Sequence, residues 1–396
     1  MKRVVRRAAA AGPRHFFAPC PRGLEALLAE EIRACGGQVE TIGAGGVGFV
    51  GDLETCYRVN LHSRIATRVL CRIISAEFRD EQDIYRLAYD VAWPQLFEVS
   101  RSIRVYVTAA NAPFKSLEYI TLKVKDAVCD RFRAELGKRP DVNTAAPDVR
   151  IHLYATATQA TLYLDASGAP LWLRGQKIAK VVAPLKENLA AGILRLAGWQ
   201  PGIPLLDPMC GSGTFLLEAA GIALDLAPGL LRANGDFGFT KLRNFDAALW
   251  KRLRAEAAGR RRSPDKLPIW GADRDADAVA RCRQNLAHAG LERSITVSVA
   301  DILELSPPAE GGILVANPPY GARLGEAQAL AAIYPRLGDA LKKRFIGWQA
   351  WFLSADRRLP KLIGLRPQRR IPLFNGALEC RLYGFPIVAG SARNVI

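Results

Sequence analysis

The stretch from Pro204 to Ala220, PLLDPMCGSGTFLLEAA, limits what this chain can fold into more than any other. Ile203, Leu205 and Leu206 form an apolar run that stops at Asp207, and Gly211, Ser212 and Gly213 lead into the apolar helical pattern Phe215, Leu216, Ala219, Ala220. The spacing predicts strand, tight glycine turn, helix. Such a unit offers a ligand the carboxyl end of a strand and the unpaired backbone N–H groups of a helix start. Both glycines are expected to let that ligand approach the backbone, because a Cβ would hold it off. An ordinary strand-to-helix turn of any α/β protein has the same outline.

The turn lacks G-x-G-x-x-G spacing, and no Lys-Ser/Thr pair follows it, so phosphate is not the expected cargo. An acidic residue at the strand end suits an amino group, and the glycine turn suits a carboxylate. S-adenosylmethionine carries both.

With 396 residues the chain is long enough for two or three domains. Its formal charge of +17 favours a polyanionic partner, nucleic acid first, with an acidic membrane surface also compatible with the charge. No apolar run approaches the ~20 residues that span a bilayer, and Met1 to Arg14 is basic without an apolar h-region. The expectation is a soluble, cytoplasmic protein with a disordered basic tail at 1–14, an organelle transit peptide being the alternative. Eight scattered cysteines with no C-x-x-C pair, and only four histidines, indicate neither a zinc site nor a disulfide framework. Cys210 reads as a small turn residue rather than a nucleophile.

In chain order, His15 to about His62 reads as a small α/β module. From Arg64 to about Leu164 come further strands, helices near Asp80 to Ala88 and Tyr119 to Leu136, and a closing hairpin with its turn near Thr158 and Gln159. The helix at Tyr119 carries Lys123, Lys125, Arg131 and Arg133. On a small antiparallel sheet it suits a phosphate backbone, or it is a solvated face. A boundary falls near Ala169. Beyond it a basic extended segment enters a helix opened by Pro184, with Leu185, Leu189, Ile193 and Leu196 on one face. After the glycine turn comes a basic, insertion-like segment with one helix, Phe245 to Ala257, read as a flap over nucleic acid or as a solvated crossover. Parallel-sheet rhythm then resumes through LPIWGAD, ITVSVAD, GILVANPPY and WQAWFLSAD.

Four strand ends therefore carry polar residues: Asp207, Asp273, Asp301 and Asn317. In an open parallel sheet they ring one crevice. Asp273 suits two ribose hydroxyls, and Asp301 an adenine amine with Ile302 against the ring. In NPPYG, Asn317 to Gly321, two prolines fix φ and remove two donors. The Asn317 amide oxygen and the carbonyl after it become paired acceptors for an NH₂ group on a planar ring or amide, and Tyr320 is a face for stacking. A weakly nucleophilic aromatic amine held there needs positioning and electrostatic support more than a strong base.

The motifs DPMCGSGTFLLEAA and NPPYGARLG, with the run RGQKIAKVVAPLKENLAAGILRLAGW and the closing IVAGSARN, resemble the THUMP-domain class I methyltransferases that make N2-methylguanosine in RNA. Within that family the likeness is to the N-terminal half of the bacterial branch acting on a guanine of large-subunit ribosomal RNA. The resemblance implies an α/β chain with a ferredoxin-like module at 15–63, a THUMP RNA-binding domain at 64–168 and a Rossmann-like methyltransferase domain at 169–396. It implies S-adenosylmethionine as cofactor, RNA as partner, and no metal. The candidate cofactor set is Pro184, Asp207, Pro208, Met209, Gly211, Gly213, Thr214, Asp273, Arg274, Asp301, Ile302 and Asn317; the candidate catalytic set is Asn317, Pro318 and Tyr320. Some ribosomal enzymes carry a second methyltransferase domain, and this chain ends without one. A transfer-RNA relative shares the domain order. Other readings are methylation of DNA adenine or protein glutamine, where NPPY also occurs, and a non-catalytic RNA-binding assembly factor.

Overall fold

A computed structural model describes residues 13–178, 185–232, 237–263, 265–318 and 324–389, with side chains of the last segment from 332 onward. The chain begins Arg14–Pro19 (β1), Glu25–Ala34 (α1), Gln38–Gly43 (β2), Gly46–Gly51 (β3), Leu53–His62 (α2), Leu70–Glu77 (β4), Glu81–Tyr89 (α3), Ile103–Ala109 (β5), Leu117–Leu136 (α4), Val149–Ala155 (β6) and Gln159–Asp165 (β7). It continues Glu187–Leu196 (α5), Leu205–Asp207 (β8), Thr214–Ala223 (α6), Ala247–Gly259 (α7), Ile269–Asp273 (β9), Ala276–His288 (α8), Thr296–Val299 (β10), Gly312–Ala316 (β11), Leu324–Arg344 (α9), Trp348–Ser354 (β12), Leu359–Leu362 (α10), Arg369–Asn375 (β13) and Leu378–Pro386 (β14).

The chain divides into two compact units. The first holds residues 1–19, 28–171 and 233–256, and the second holds 20–27, 172–232 and 257–396. In the first, the strands form one seven-stranded sheet in the order β2-β3-β1-β4-β7-β6-β5. The small antiparallel sheet expected from sequence is thus longer, and β5 and β6 within it are parallel. The reason lies in β4. It pairs with β1 through Phe16↔Cys71 and Phe17↔Leu70 on one side, and with β7 along most of its length on the other. Pairing partners distant in sequence leave no local signal.

Helix starts follow their capping residues. Asp52 accepts from the Thr55 N–H at 2.8 Å to open α2, and Ser116 accepts from the Tyr119 N–H at 3.2 Å to open α4. The α4 helix ends at Gly137, whose φ of +68° is the left-handed conformation that suits glycine. Its basic residues are largely self-paired: Arg131 with Glu135 at 2.5 Å, Arg133 with Asp130 at 2.9 Å, and Lys125 beside Asp126. The solvated-face reading of that helix accounts for these pairs, which are individually weak.

The segment 237–256, read from sequence as a flap or a crossover, is an apolar plug of the first unit. The buried Tyr57 ring lies 4.2 Å from Phe239 and 5.7 Å from Trp250, and Phe237 meets Trp250 at 5.1 Å. The Tyr57 hydroxyl accepts the Asp246 N–H at 3.0 Å.

The second unit contains a sheet in the order β10-β9-β8-β11-β12-β14-β13. Strands β8 to β12 run parallel, and the β13–β14 hairpin closes the edge antiparallel. Chain order reverses between β8 and β11, the switch point where open α/β sheets bind ligands. β8 is three residues long and wholly buried, as a central parallel strand must be. Gly271 on β9 admits Leu216 of α6, which a Cβ would meet at 2.5 Å. Helix α5 begins at Glu187, and Pro184 lies outside the described residues. No described helix is long and apolar enough to cross a membrane.

Burial pushes the Tyr57 hydroxyl up to about 12 from its ordinary 10.0, against a smaller opposing effect of the Asp246 amide. A raised folded value means the associated stability is complete below pH 10 and is lost as pH climbs through about 12. Tyr57→Phe is expected to lower stability at pH 7 by about 1 kcal/mol, the net worth of one hydrogen bond. It should also flatten the alkaline fall in melting temperature. An unchanged alkaline profile, measured by thermal unfolding between pH 8 and 12, would remove Tyr57 as its cause.

Candidate functional site

The glycine turn is held from the neighbouring strand. The Cys210 N–H donates to the Ala272 carbonyl at 2.9 Å, and the Gly211 N–H donates to Asp273 Oδ2 at 2.9 Å. The other Asp273 oxygen accepts the Asp275 N–H at 3.0 Å, and Asp275 in turn caps α8. Asp273 therefore anchors the turn, with lone pairs left on both oxygens for a further donor. Gly211 has φ +52° and Gly213 has φ +83°. Their surroundings differ. A Cβ at Gly211 would meet nothing within 4 Å, so that position leaves the backbone open to a ligand. A Cβ at Gly213 would lie 2.7 Å from Cys282 Sγ, so that glycine serves the packing of α6 on α8.

Asp207 ends β8 and is 2% exposed. Its Oδ1 accepts the Met209 N–H at 3.2 Å. Burial drives its carboxyl well above the ordinary 3.8, and the nearby Asp273 adds to that, while the Met209 amide opposes it. A carboxyl so placed favours a cationic partner. Cys210 is buried against Cys282, whose hydrogen bond, followed by burial and the Asp207 charge, pushes its thiol strongly upward. Such a thiol is a poor nucleophile, in agreement with its reading as a turn residue.

The remaining candidates fall at neighbouring strand ends. Asp301 lies two residues past β10 and its Oδ1 accepts the Leu303 N–H at 2.9 Å; Ile302 beside it is buried. Asn317 follows β11 directly and is half-buried, and Pro318 is buried. The register sets Leu314 of β11 beside Leu206 of β8, so Asp207 and Asn317 leave adjacent strands at the same edge of the sheet. Pro208 is buried, Met209 packs against the β11–β12 core, and Arg274 is exposed. Tyr320, like Pro184, lies outside the described residues. Among described residues no group of three or more His, Cys, Asp or Glu is placed to hold a metal.

Sequence reading missed a set of polar residues stitched around Thr214, the first residue of α6. Lys177 Nζ donates to Thr214 Oγ1 at 3.2 Å and pairs with Glu187 at 2.9 Å, both side chains nearly buried. Asn285, fully buried on α8, donates to the Ser212 carbonyl at 3.0 Å and accepts the Ile178 N–H at 3.0 Å. Arg174 and Glu218 form an ion pair at 2.7 Å with 2% and 1% side-chain exposure. Glu218 had a legible signal, a lone carboxylate in the apolar helix TFLLEAAG. Asn285 and Lys177 had none.

Comparison with known proteins bears on the family and the fold. A family described as an RMKL-like methyltransferase domain matches residues 174–384, a THUMP domain matches 78–165, and an RlmL ferredoxin-like domain matches 15–70. The chain is 42% identical over 385 residues to the ribosomal RNA large subunit methyltransferase K/L of Syntrophotalea carbinolica, covering 95% of this chain and 54% of that one. It thus spans about half the length of the curated relatives of that name that it matches. A Synechocystis sp. protein provisionally named an RNA methyltransferase is 37% identical over 374 residues, covering 94% of this chain and 97% of its own. The crystal structure of SMU.472, provisionally named a methyltransferase and complexed with SAH, superposes with a TM-score of 0.85 at 28% identity, covering 96% and 99% of the two chains. The second unit accordingly has the Rossmann-like class I methyltransferase fold, and the chain belongs to the RMKL-like methyltransferase family, with a THUMP domain and an RlmL-type ferredoxin-like domain ahead of its catalytic fold.

Proposed function

We propose that this protein transfers a methyl group from S-adenosylmethionine to the exocyclic N2 amine of a guanine in RNA, with large-subunit ribosomal RNA as substrate. The modules 15–63, 64–168 and 169–396 are proposed as the ferredoxin-like, THUMP and methyltransferase parts of a cytoplasmic enzyme. The observation that carries the reading is the buried Asp207 carboxyl at the switch point, beside a glycine turn open at Gly211 and one strand away from Asn317.

These residues fit the cofactor. Asp207, raised by burial and with no cation paired to it among the described residues, suits an α-ammonium group, and the open backbone at Gly211 suits close approach of the amino-acid end. Asp273 retains acceptor capacity for ribose hydroxyls, and Asp301 with Ile302 for an adenine edge and face. Pro208, Met209, Thr214 and Arg274, with Pro184, complete the proposed cofactor set. When bound, S-adenosylmethionine supplies a methyl group already activated by its sulfonium. The protein's part is positioning. Asn317 Oδ1 and the carbonyl of Pro318 would accept hydrogen bonds from the two N–H groups of the guanine amine, turning its lone pair toward the methyl group, and Tyr320 would stack on the base. The N–CH₃ bond forms as the S–CH₃ bond breaks, S-adenosylhomocysteine leaves, and the nitrogen gives up one proton to solvent. A guanine inside a helix must first be flipped out.

Tritiated methyl transfer from S-adenosylmethionine into RNA, DNA and protein of one extract, followed by nucleoside analysis, tests the class of substrate. Label in N2-methylguanosine is expected. Label in DNA adenine or protein glutamine would overturn the reading, and absence of cofactor binding would overturn the enzyme itself.

Asn317→Ala is expected to lower kcat about a hundredfold or more, the usual cost of removing one preorganised polar group, while the S-adenosylmethionine Kd stays within about twofold. Equal losses in both would move Asn317 from substrate to cofactor.

For Asp207, a folded value raised above 3.8 gives stability to the ligand-free protein that is complete below pH 3.8 and declines as pH rises through the folded value. Asp207→Asn should remove that decline, leave the ligand-free protein at least as stable at pH 7, and weaken cofactor binding about tenfold or more as the buried charge pair is lost. Thermal unfolding against pH, with and without S-adenosylmethionine, checks both halves. Unaltered cofactor affinity would break the ammonium assignment.

A further inference from the structure

The part of the first unit's sheet formed by β5, β6, β7 and β4 has two faces of different chemistry. Val105, Ile151, Leu153, Leu162 and Leu164 belong to the core shared with α4. The residues between them turn the other way, because side chains alternate along a strand. Register places Tyr106 opposite His152, His152 opposite Tyr163, and Tyr163 opposite Arg72, one row across four strands. The next row is Thr108, Tyr154, Thr161 and Ser75. On the other side of Tyr106 and His152 stand Arg104 and Arg150, themselves paired.

The geometry within the rows is that of flat rings and cations. Tyr106 and His152 stack with centroids 4.8 Å apart at 13°, and the Arg104 guanidinium sits 4.7 Å from the Tyr106 centroid. Tyr154 is 40% exposed, Arg72 and Thr108 are exposed, and Tyr106 and Tyr163 are half-buried. Of the carboxylates on this side, Asp165 is buried and engaged by Arg68 and by His152 at 3.6 Å, and Glu77 is exposed at the far end of β4 opposite Gln159, where the three arginines outnumber it. Burial raises its carboxyl, but His152, Arg68 and the Ser167 amide outweigh that and hold it low. The face therefore offers outward positive charge interleaved with aromatic surface.

We propose that this face is a docking platform for single-stranded RNA. Tyr154 takes an unpaired base on its exposed ring face, Tyr106, covered by His152 and the Arg104 guanidinium, holds that cation in place, and Arg72, Arg104 and Arg150 lie along the phosphates. Charge and ring chemistry select this occupant. A duplex keeps its base faces stacked on one another, whereas a splayed strand presents them. The identity of the partner as RNA rests on the functional reading above; the location and the mode of contact rest on the sheet. Ring pairs across strands also stabilise a sheet by themselves, so the test must separate binding from folding.

The full chain is titrated with a labelled, unstructured oligoribonucleotide and with a hairpin duplex, and affinity is followed against salt. Tyr154→Ala, at the most exposed ring, is expected to weaken single-strand binding about tenfold, and adding Tyr106→Ala to it only about twofold more, because that ring offers no free face. The corresponding Phe variants should stay within about twofold, and all of them should leave duplex binding near the wild-type value. The salt slope should be unchanged in the Ala variants and smaller by about 0.7 in Arg72→Gln, as one phosphate contact is lost. Wild-type-like binding by both Ala variants, or equal loss in the Phe variants, overturns the platform while leaving RNA as the partner. Failure of the wild-type chain to bind RNA overturns both.

Discussion

The catalytic fold depends on how firmly the turn after β8 is tied to β9. β8 has three residues and is too short to aim the chain that leaves it. The two backbone donors of Cys210 and Gly211, each bonded at 2.9 Å to the end of β9, do so instead. They fix the turn with Gly211 in the left-handed region and Gly213 at the start of α6, and they bring Asp273 against the backbone that a ligand must approach. Asp207 is the consequence. With the turn closed over it, its carboxyl keeps one amide bond and little water, a state that disfavours charge by burial. A carboxylate in that position is stabilised either by a proton or by a cation placed beside it.

A second layer holds the first. Asn285 uses both ends of its amide, one on Ser212 within the turn and one on Ile178 in the segment before α5. A carboxylate there would set an oxygen against the Ser212 carbonyl, and an aliphatic residue would strand both backbone groups, so the position is restrictive although it touches no ligand. Lys177 does the same for the first residue of α6 while neutralised by Glu187. The Arg174–Glu218 pair, almost without solvent, adds little net stability by the usual balance of desolvation against attraction. It does fix how the segment preceding α5 lies on α6, because neither charge can be left behind alone.

How much of this was legible depended on the range of the interactions. The strand-turn-helix at Asp207 to Gly213, the acidic strand ends and the parallel order are local patterns, and the sequence carried them. The hairpin at β6–β7 was legible for the same reason. Features that depend on distant partners were not. Nothing near Leu70 announces that β4 will pair on both edges. Nothing in FGFTKLRNF shows that Phe239 and Trp250 will close on Tyr57, and their basic neighbours drew attention away from the aromatic residues. Gly213 reads from sequence as making room for a ligand, and the sulfur atom on α8 that a Cβ would meet is a further constraint with no local signal.

The charge of the chain has the same lesson for recognition. A net +17 draws the protein to any polyanion, but attraction of that kind is shared by all sequences and shapes. In the basic helix α4, neighbours three or four residues away hold much of that charge. Discrimination has to come from groups whose contribution depends on the form of the nucleic acid. On the proposed reading, an exposed ring face that a paired base cannot reach is such a group, and so is an acceptor pair at Asn317 and Pro318 for an extruded amine. Each demands an unpaired nucleotide. An enzyme of the proposed kind, whose grip and whose chemistry both demand unpaired nucleotides, would gain selectivity for irregular RNA from either contact, without any need to read a long sequence.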